Sequence, residues 1–290
     1  MSKCVLPIFT ESSYTLSSWY KKTIAGIEAE ASKHQLQTQQ YADRYGVPCT
    51  DNLPDVVIVT AGKADWTRNI LSSLRKMGKK IVLAGIEPEN FGDDISGVTF
   101  NRRNSMERII SYFHSCGRKK IALFGVNKNS SNDILRCDCF LNISKEYAID
   151  ASNEDIFVSN EYLTDCFNFF VESYKNYKKY DAVICPNDII AFFFIVHAKE
   201  LGIRIPDDIF VAGFSNMLIS RFCSPDITTF THNYYEVGIQ SVNAWLFLMK
   251  NPSVASIKLT TTDNLIIRGS TANIDETSAT YSHQPVKLED

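Results

Sequence analysis

The stretch of residues 180–233 constrains the fold most, because it sets two strand-length apolar runs on either side of one apolar helix. Residues 181–185 and 209–214 are too short for helices and too uniformly apolar for half-exposed strands, so they read as strands buried on both faces. Between them, Asp188 is placed to cap a helix that Gly202 can end. A strand, helix, strand order of this kind makes a parallel pair with a crossover. The turns at Pro186, Asn187 and Asp188 and at Gly213, Phe214, Ser215 and Asn216 then fall at the carboxyl ends of strands, where open α/β sheets take their ligands.

The same alternation runs through the chain. Strands are expected at 5–9, 36–41, 55–61, 80–86 and 121–126, with helices at 18–33, 66–77 and around Met106, Ile109, Ile110 and Phe113. Beyond residue 126 the scheme repeats, with helices near 133–147 and 163–177 and strands at 156–158, 181–185 and 209–214. Asn233, followed three residues later by Glu236, forms a capping-box-like start for a helix through Trp245 to Met249 that Asn251 and Pro252 stop. With 290 residues and 44% hydrophobic content the chain is long enough for two lobes, each a parallel sheet covered by helices on both faces.

Several segments together resemble the effector-binding domain of the LacI/GalR family of bacterial regulators, which shares its fold with periplasmic sugar-binding proteins. They are Cys185-Pro186-Asn187-Asp188, Glu200-Leu201-Gly202, Ile205-Pro206-Asp207-Asp208, Val211-Ala212-Gly213-Phe214, Ser224-Pro225 with Thr228-Thr229, Gly238, and Leu265-Ile266-Ile267-Arg268-Gly269-Ser270-Thr271. Gly117 to Ala122 and the spacing of Arg136 and Phe140 fit as well. The resemblance implies a two-lobed type I periplasmic-binding-protein-like α/β fold with three hinge crossings near 125–128, 231–234 and 262–265. It divides the chain into an N-terminal lobe of 1–126 plus 233–262, a C-terminal lobe of 127–232 plus 263–273, and a polar tail of 274–290. It also implies a small-molecule effector in the interlobe cleft, a homodimer, and operator DNA bound only through a headpiece that this chain lacks.

Carried over residue by residue, the family's pocket falls on Arg136, Asn187, Trp19, Tyr20, Ser215 and His232, with Asn104, Asn132 and Tyr162 matching more loosely. A guanidinium fork at Arg136 can hold two hydroxyls, a carboxylate or a phosphate, although spacing alone fits an ordinary exposed helix arginine equally. Asn187 is either a ligand contact or a turn former ahead of the Asp188 cap. Of Trp19 and Tyr20, one ring is expected to face the cleft and one to be buried. His232 is read either as a pocket residue or as a structural one. Ser215 stands where the family generally has an acid, which leaves Arg136 without an acidic counterpart and widens the expected effectors from neutral sugars to sugar acids and sugar phosphates. Residues 41–54 are too short and too rich in Pro, Gly and Asp for the helix the family usually inserts there.

Other chemistry is poorly supported. A formal charge of −3 gives no polyanion-binding face, and the basic run Arg118, Lys119 and Lys120 reads as a solvated turn. The eight cysteines lack zinc-ligand spacing, so they read as reduced, buried small hydrophobes, and no metal or cofactor is expected. No nucleophile elbow, phosphate loop or dinucleotide fingerprint occurs, and the paired acids Asp93, Asp94 and Asp207, Asp208 sit in turns; catalysis is not expected. Neither a signal peptide nor a spanning segment is legible, which points to a cytoplasmic sensor and away from membranes. A solute-binding protein of a sugar transport system is the alternative on the same fold.

Overall fold

A computed structural model describes residues 5–43, 52–60, 62–88, 91–128, 130–159, 163–176 and 180–272. In chain order its elements are β1 (Val5–Glu11), α1 (Ser18–Lys33), β2 (Gln37–Asp43), β3 (Val56–Val59), α2 (Ala64–Lys76), β4 (Lys80–Ala84), β5 (Ser96–Phe100) and α3 (Arg102–Ser115). There follow β6 (Ile121–Val126), α4 (Ser131–Glu146), β7 (Ile156–Val158), α5 (Leu163–Asn176), β8 (Ala182–Ile184), α6 (Asp188–Glu200), β9 (Phe210–Ala212) and α7 (Ile219–Phe222). The remainder is β10 (Thr229–Thr231), α8 (Tyr234–Lys250), β11 (Lys258–Thr261) and β12 (Asn264–Ile266). Two compact units result, Met1–Asn104 with His232–Asn264 and Ser105–Thr231 with Leu265–Asp290. The expected tail and most of the 41–54 crossover lie outside the described residues.

In the first unit the strands run β11-β5-β4-β3-β1-β2, with every paired neighbour parallel. β3 and β4 are central and their apolar runs are buried on both faces, whereas the polar β2 forms an edge. One side of the sheet is covered by α1 and α8. These helices touch backbone to backbone at two glycines: a Cβ on Gly26 would lie 2.0 Å from Tyr235 O, and one on Gly238 would lie 2.2 Å from Thr23 O. Trp245 of α8 is buried against the sheet and donates from Nε1 to Val56 O at 2.6 Å. The other face is filled by Trp66, Ile70, Leu71 and Leu74 of α2 packed on Val57, Val59, Ile81 and Leu83.

The second unit has the parallel order β7-β6-β8-β9. Phe124, Phe157, Phe167, Phe170, Tyr180 and Phe194 pack together on one face, mostly edge-on but with Phe170 stacked on Phe167 and Tyr180, and Phe124 and Phe194 centroids lie 5.1 Å apart. On the other, Met106, Ile109, Ile110 and Phe113 of α3 pack with Phe140 and Ile143 of α4 over Ile121, Leu123 and Val126. That packing corrects the expected first crossing. The units divide at Asn104/Ser105 and not near residue 126, because β6 is an interior strand bonded to both β7 and β8, and α3 buries its stripe against it. The other two divisions fall between 231 and 232 and between 264 and 265.

Candidate functional site

The order of the second sheet reverses between β6 and β8, so the segments leaving those strands diverge at their carboxyl ends, the position at which open α/β sheets take their ligands. Arg136 and Asn187 flank this switch point. After β6 the chain passes Asn127 and enters α4, where the Ser130 hydroxyl accepts the Asp133 N–H at 3.3 Å. The buried carboxylate of Asp133 accepts from Asn127 N at 3.0 Å and from Arg136 Nη1 at 2.9 Å. The guanidinium also lies 5.0 Å from the ring centroid of Phe214, and the side chain is 13% exposed. Its remaining N–H groups meet no acceptor among the described residues. The expectation of an arginine without an acidic counterpart is therefore corrected: the acid comes from the preceding turn of the same helix.

Across the switch point, the helix cap is also corrected. Asn187, not Asp188, is the N-cap of α6, its Oδ1 accepting from Ile189 N and Ile190 N at 3.0 Å each. Its carboxamide nitrogen is left to donate. Asp188 instead points into the unit, fully buried, and accepts from Met217 N and from Thr229 Oγ1, both at 2.6 Å. Burial pushes its carboxyl up to about 6, against the lowering effect of the Thr229 and Met217 bonds and of the Arg268 charge. Gly213 is required here, because a Cβ would stand 2.4 Å from Asp188 Oδ1.

Ser215 and Asn216 follow with left-handed φ of 97° and 44°. Bonds from Ser215 N to Phe230 O at 2.9 Å and from Asn216 N to Thr229 Oγ1 at 3.2 Å fix this turn. The buried Arg268 donates to Asn216 Oδ1 at 2.7 Å, to Ser220 Oγ at 2.8 Å and to Ile227 O at 2.9 Å. Asn132 is exposed in the first turn of α4, and Tyr162 lies outside the described residues.

The first sheet also reverses, between β1 and β3. Glu11, at the end of β1, is buried and accepts Lys63 N at 2.7 Å and Ser13 Oγ at 2.9 Å, tying together the segments that leave the two strands. Trp19 is half-buried, with Tyr14 and Tyr234 centroids each 5.8 Å away. Tyr20 is 3% exposed and donates its hydroxyl to Gln40 Oε1 at 3.0 Å, so it is a core residue and leaves the candidate set. His232 is packed 4.4 Å from the Phe100 ring, with Nδ1 2.9 Å from Asp263 Oδ2, which makes it a structural pair first. Asn104 is exposed in the first turn of α3, its N–H bonded to Asn101 Oδ1 at 3.0 Å.

A family profile described as "Periplasmic binding protein-like domain" matches residues 110–271, more than half of the chain. The chain belongs to this family. Within it, the likeness runs to regulators of the LacI type, as the sequence motifs imply. The HTH-type transcriptional repressor CytR of Escherichia coli K12 is 36% identical over 90 residues, 31% of this chain and 26% of CytR. The repressor PurR of Haemophilus influenzae is 26% identical over 162 residues, 55% of this chain and 48% of PurR. The matched stretch thus spans less than half of either relative. Among solved structures, the regulator CelR in its cellobiose complex superposes with a TM-score of 0.76 at 13% identity, covering 93% of this chain and 86% of CelR. The lac repressor dimer bound to operator and the anti-inducer ONPF gives 0.72 at 15% identity, covering 93% and 95%. Both show the periplasmic-binding-protein-like fold.

Three features of the site escaped the sequence reading. Asp133 was legible as an acid three residues ahead of Arg136, a spacing that brings side chains together on a helix. Glu11 carried a weaker signal, a charged residue closing an apolar strand. The pairing of Asp188 with the 213–217 turn had none, since it depends on how two distant loops meet.

Proposed function

We propose that this chain is the effector-sensing domain of a bacterial transcriptional regulator, and that the β6/β8 switch point takes a small neutral polar molecule such as a sugar or nucleoside. The observation that carries this reading is the Arg136 guanidinium, anchored on Asp133 and Phe214 with donors to spare, on the helix that leaves β6, while Asn187 caps the helix that leaves β8 on the other side of the point where strand order reverses. Those donors suit hydroxyl or carbonyl acceptors, and the Asn187 carboxamide adds another donor. Asp133 already meets the arginine's charge, and an anionic ligand there would confront a second carboxylate. Sugar acids and sugar phosphates are therefore disfavoured relative to neutral ligands. The cellobiose in the structurally similar CelR complex supports a neutral carbohydrate class.

In this reading the domain binds and does not catalyse. The relatives are designated HTH-type transcriptional repressors, and on that likeness we assign operator binding to a helix-turn-helix segment and place the protein in the cytoplasm. Among the described residues no helix is long and apolar enough to cross a membrane. A second copy of the chain is proposed to cover Ile189, Leu218 and Phe222, which are 54%, 71% and 76% exposed. The bond from Met217 N to Asp188 holds the start of α7, which carries Leu218 and Phe222, beside the first turn of α6, which carries Ile189.

The test is a thermal-shift screen of neutral sugars, nucleosides, sugar acids and sugar phosphates. A ligand bound by the native state alone adds ~2.7 kcal/mol at a hundredfold excess over its Kd. Stabilisation by a neutral compound, with its phosphorylated form inactive, is expected. Stabilisation by phosphorylated or acidic compounds alone refutes the neutral assignment.

A further inference from the structure

Left-handed backbone at non-glycine residues costs on the order of 1–3 kcal/mol each and persists only where surrounding contacts over-determine it. Ser215 and Asn216 are two such residues in a row, at the rim that the proposed function assigns to the effector. What holds them is a buried polar network beneath the turn. Asp188 N donates to Phe214 O at 3.2 Å, and Asp188 Oδ2 accepts from Met217 N at 2.6 Å, so a single residue grips the turn at both ends. Arg268 fixes the middle through Asn216 Oδ1 at 2.7 Å. Thr229 joins the halves, donating to Asp188 and accepting from Asn216 N.

The same network reaches each rim residue. Asn187 immediately precedes Asp188, so its cap position moves with the carboxylate's backbone. Phe214 lies inside the gripped turn, stacked on Phe230 with centroids 5.2 Å apart, and its ring carries the Arg136 guanidinium. Resting on the reading of this rim as the effector site, we infer that Asp188 and Arg268 are positioning residues that set Asn187, Ser215 and Arg136 in register without touching the effector.

Around Asp188 the ionisable groups are Arg268, from the chain after β12, and the Cys185 thiol at the end of β8, which burial keeps protonated. Protonating Asp188 adds a donor to a carboxyl that accepts two bonds, so either the Thr229 hydroxyl reverses or the Met217 bond weakens, and both residues hold the turn. The rim geometry is therefore coupled to that protonation.

The experiment needs no effector, so its failure is distinct from failure of the functional reading. Backbone amide, carboxamide and arginine Nε–H signals of the full chain are followed by NMR from about pH 4.5 to 7.5, spanning one to two units either side of the Asp188 midpoint. The amides of Ser215 and Met217, the Asn187 carboxamide and Arg136 Nε–H are expected to shift together with one midpoint near 6, and Asp188→Asn is expected to abolish all four shifts. A titration confined to Met217, with Asn187, Ser215 and Arg136 unmoved, overturns the inference; the wild-type titration alone decides this if the variant does not fold.

Discussion

Replacing Gly238 by alanine puts the contact between α1 and α8 to a test in which two effects oppose each other. In an exposed helix interior the change stabilises by about 0.8–1 kcal/mol, because glycine loses more backbone entropy than alanine. At Gly238 the new Cβ would stand 2.2 Å from Thr23 O, 2.8 Å from Ile27 N and 3.0 Å from Gly26 C. All three are backbone atoms of the facing helix, so no side-chain rotation relieves them, and the helices must part by roughly 1 Å to restore a van der Waals contact. A gap of that size forfeits about a quarter to a half of each dispersion contact across the interface. Overpacking of this kind costs about 1–3 kcal/mol, occasionally more, and the rigid backbone puts this site at the upper end. After the helix-propensity gain, a net loss of about 2 kcal/mol is expected. Urea unfolding followed by tryptophan fluorescence measures it in the right place, since Trp19, Trp66 and Trp245 all belong to the first unit. An unfolding midpoint at or above that of the wild type refutes the close approach of α1 and α8.

The Asp188 carboxyl, near 3.8 when unfolded and pushed up to about 6 by burial, contributes stability that is fully present below the lower value and lost as pH rises through the upper one. The wild type should accordingly lose about 2 kcal/mol relative to Asp188→Asn between pH 4.5 and 7.5 in urea melts, and an unchanged gap between the two proteins contradicts the burial argument. Phe222→Ser, which removes the most exposed ring of the α6 and α7 patch, should shift the chain toward monomer in light scattering without lowering its melting temperature. An unaltered oligomeric state points to a different dimer surface. Trp245→Phe removes the donor to Val56 O and should destabilise the first unit by about 1–3 kcal/mol, read by urea unfolding followed by circular dichroism, with no loss expected if that carbonyl finds another donor.

Much of the architecture was readable from periodicity because buried parallel strands and amphipathic crossover helices carry strong patterns. α1 and β6 coincide with the residues their apolar spacing indicates, and Asn233 caps α8 as its spacing to Glu236 implies. β5 and β11 were not anticipated. Their runs, SGVTF and KLTT, are short and mixed in polarity, and they gain strand character by pairing, β5 between β4 and β11 and β11 on β5 at the sheet edge. The first crossing was misplaced for a related reason: local pattern shows that β6 is a strand but not which sheet completes its hydrogen bonds. At the candidate site, motif correspondence singled out Arg136, Asn187 and Ser215 but not what holds them. Asn187 and Asp188 exchanged roles because either side chain can cap a helix, and only the fold places the Met217 amide and the Thr229 hydroxyl where the second carboxylate can reach them. Which ring of Trp19 and Tyr20 is the buried one was not legible for the same reason, since the partner of Tyr20, Gln40, lies on β2.

The central claim is that Arg136 presents free donors to a neutral ligand at the β6/β8 switch point. Isothermal titration calorimetry of the wild type and Arg136→Ala, using the neutral compound that gives the largest thermal shift, tests it most directly. A hydrogen bond to a charged group contributes about 1.5–3 kcal/mol, so affinity should fall by roughly 10- to 150-fold while the variant keeps the wild-type fold. Equal affinity for the two proteins would contradict the account.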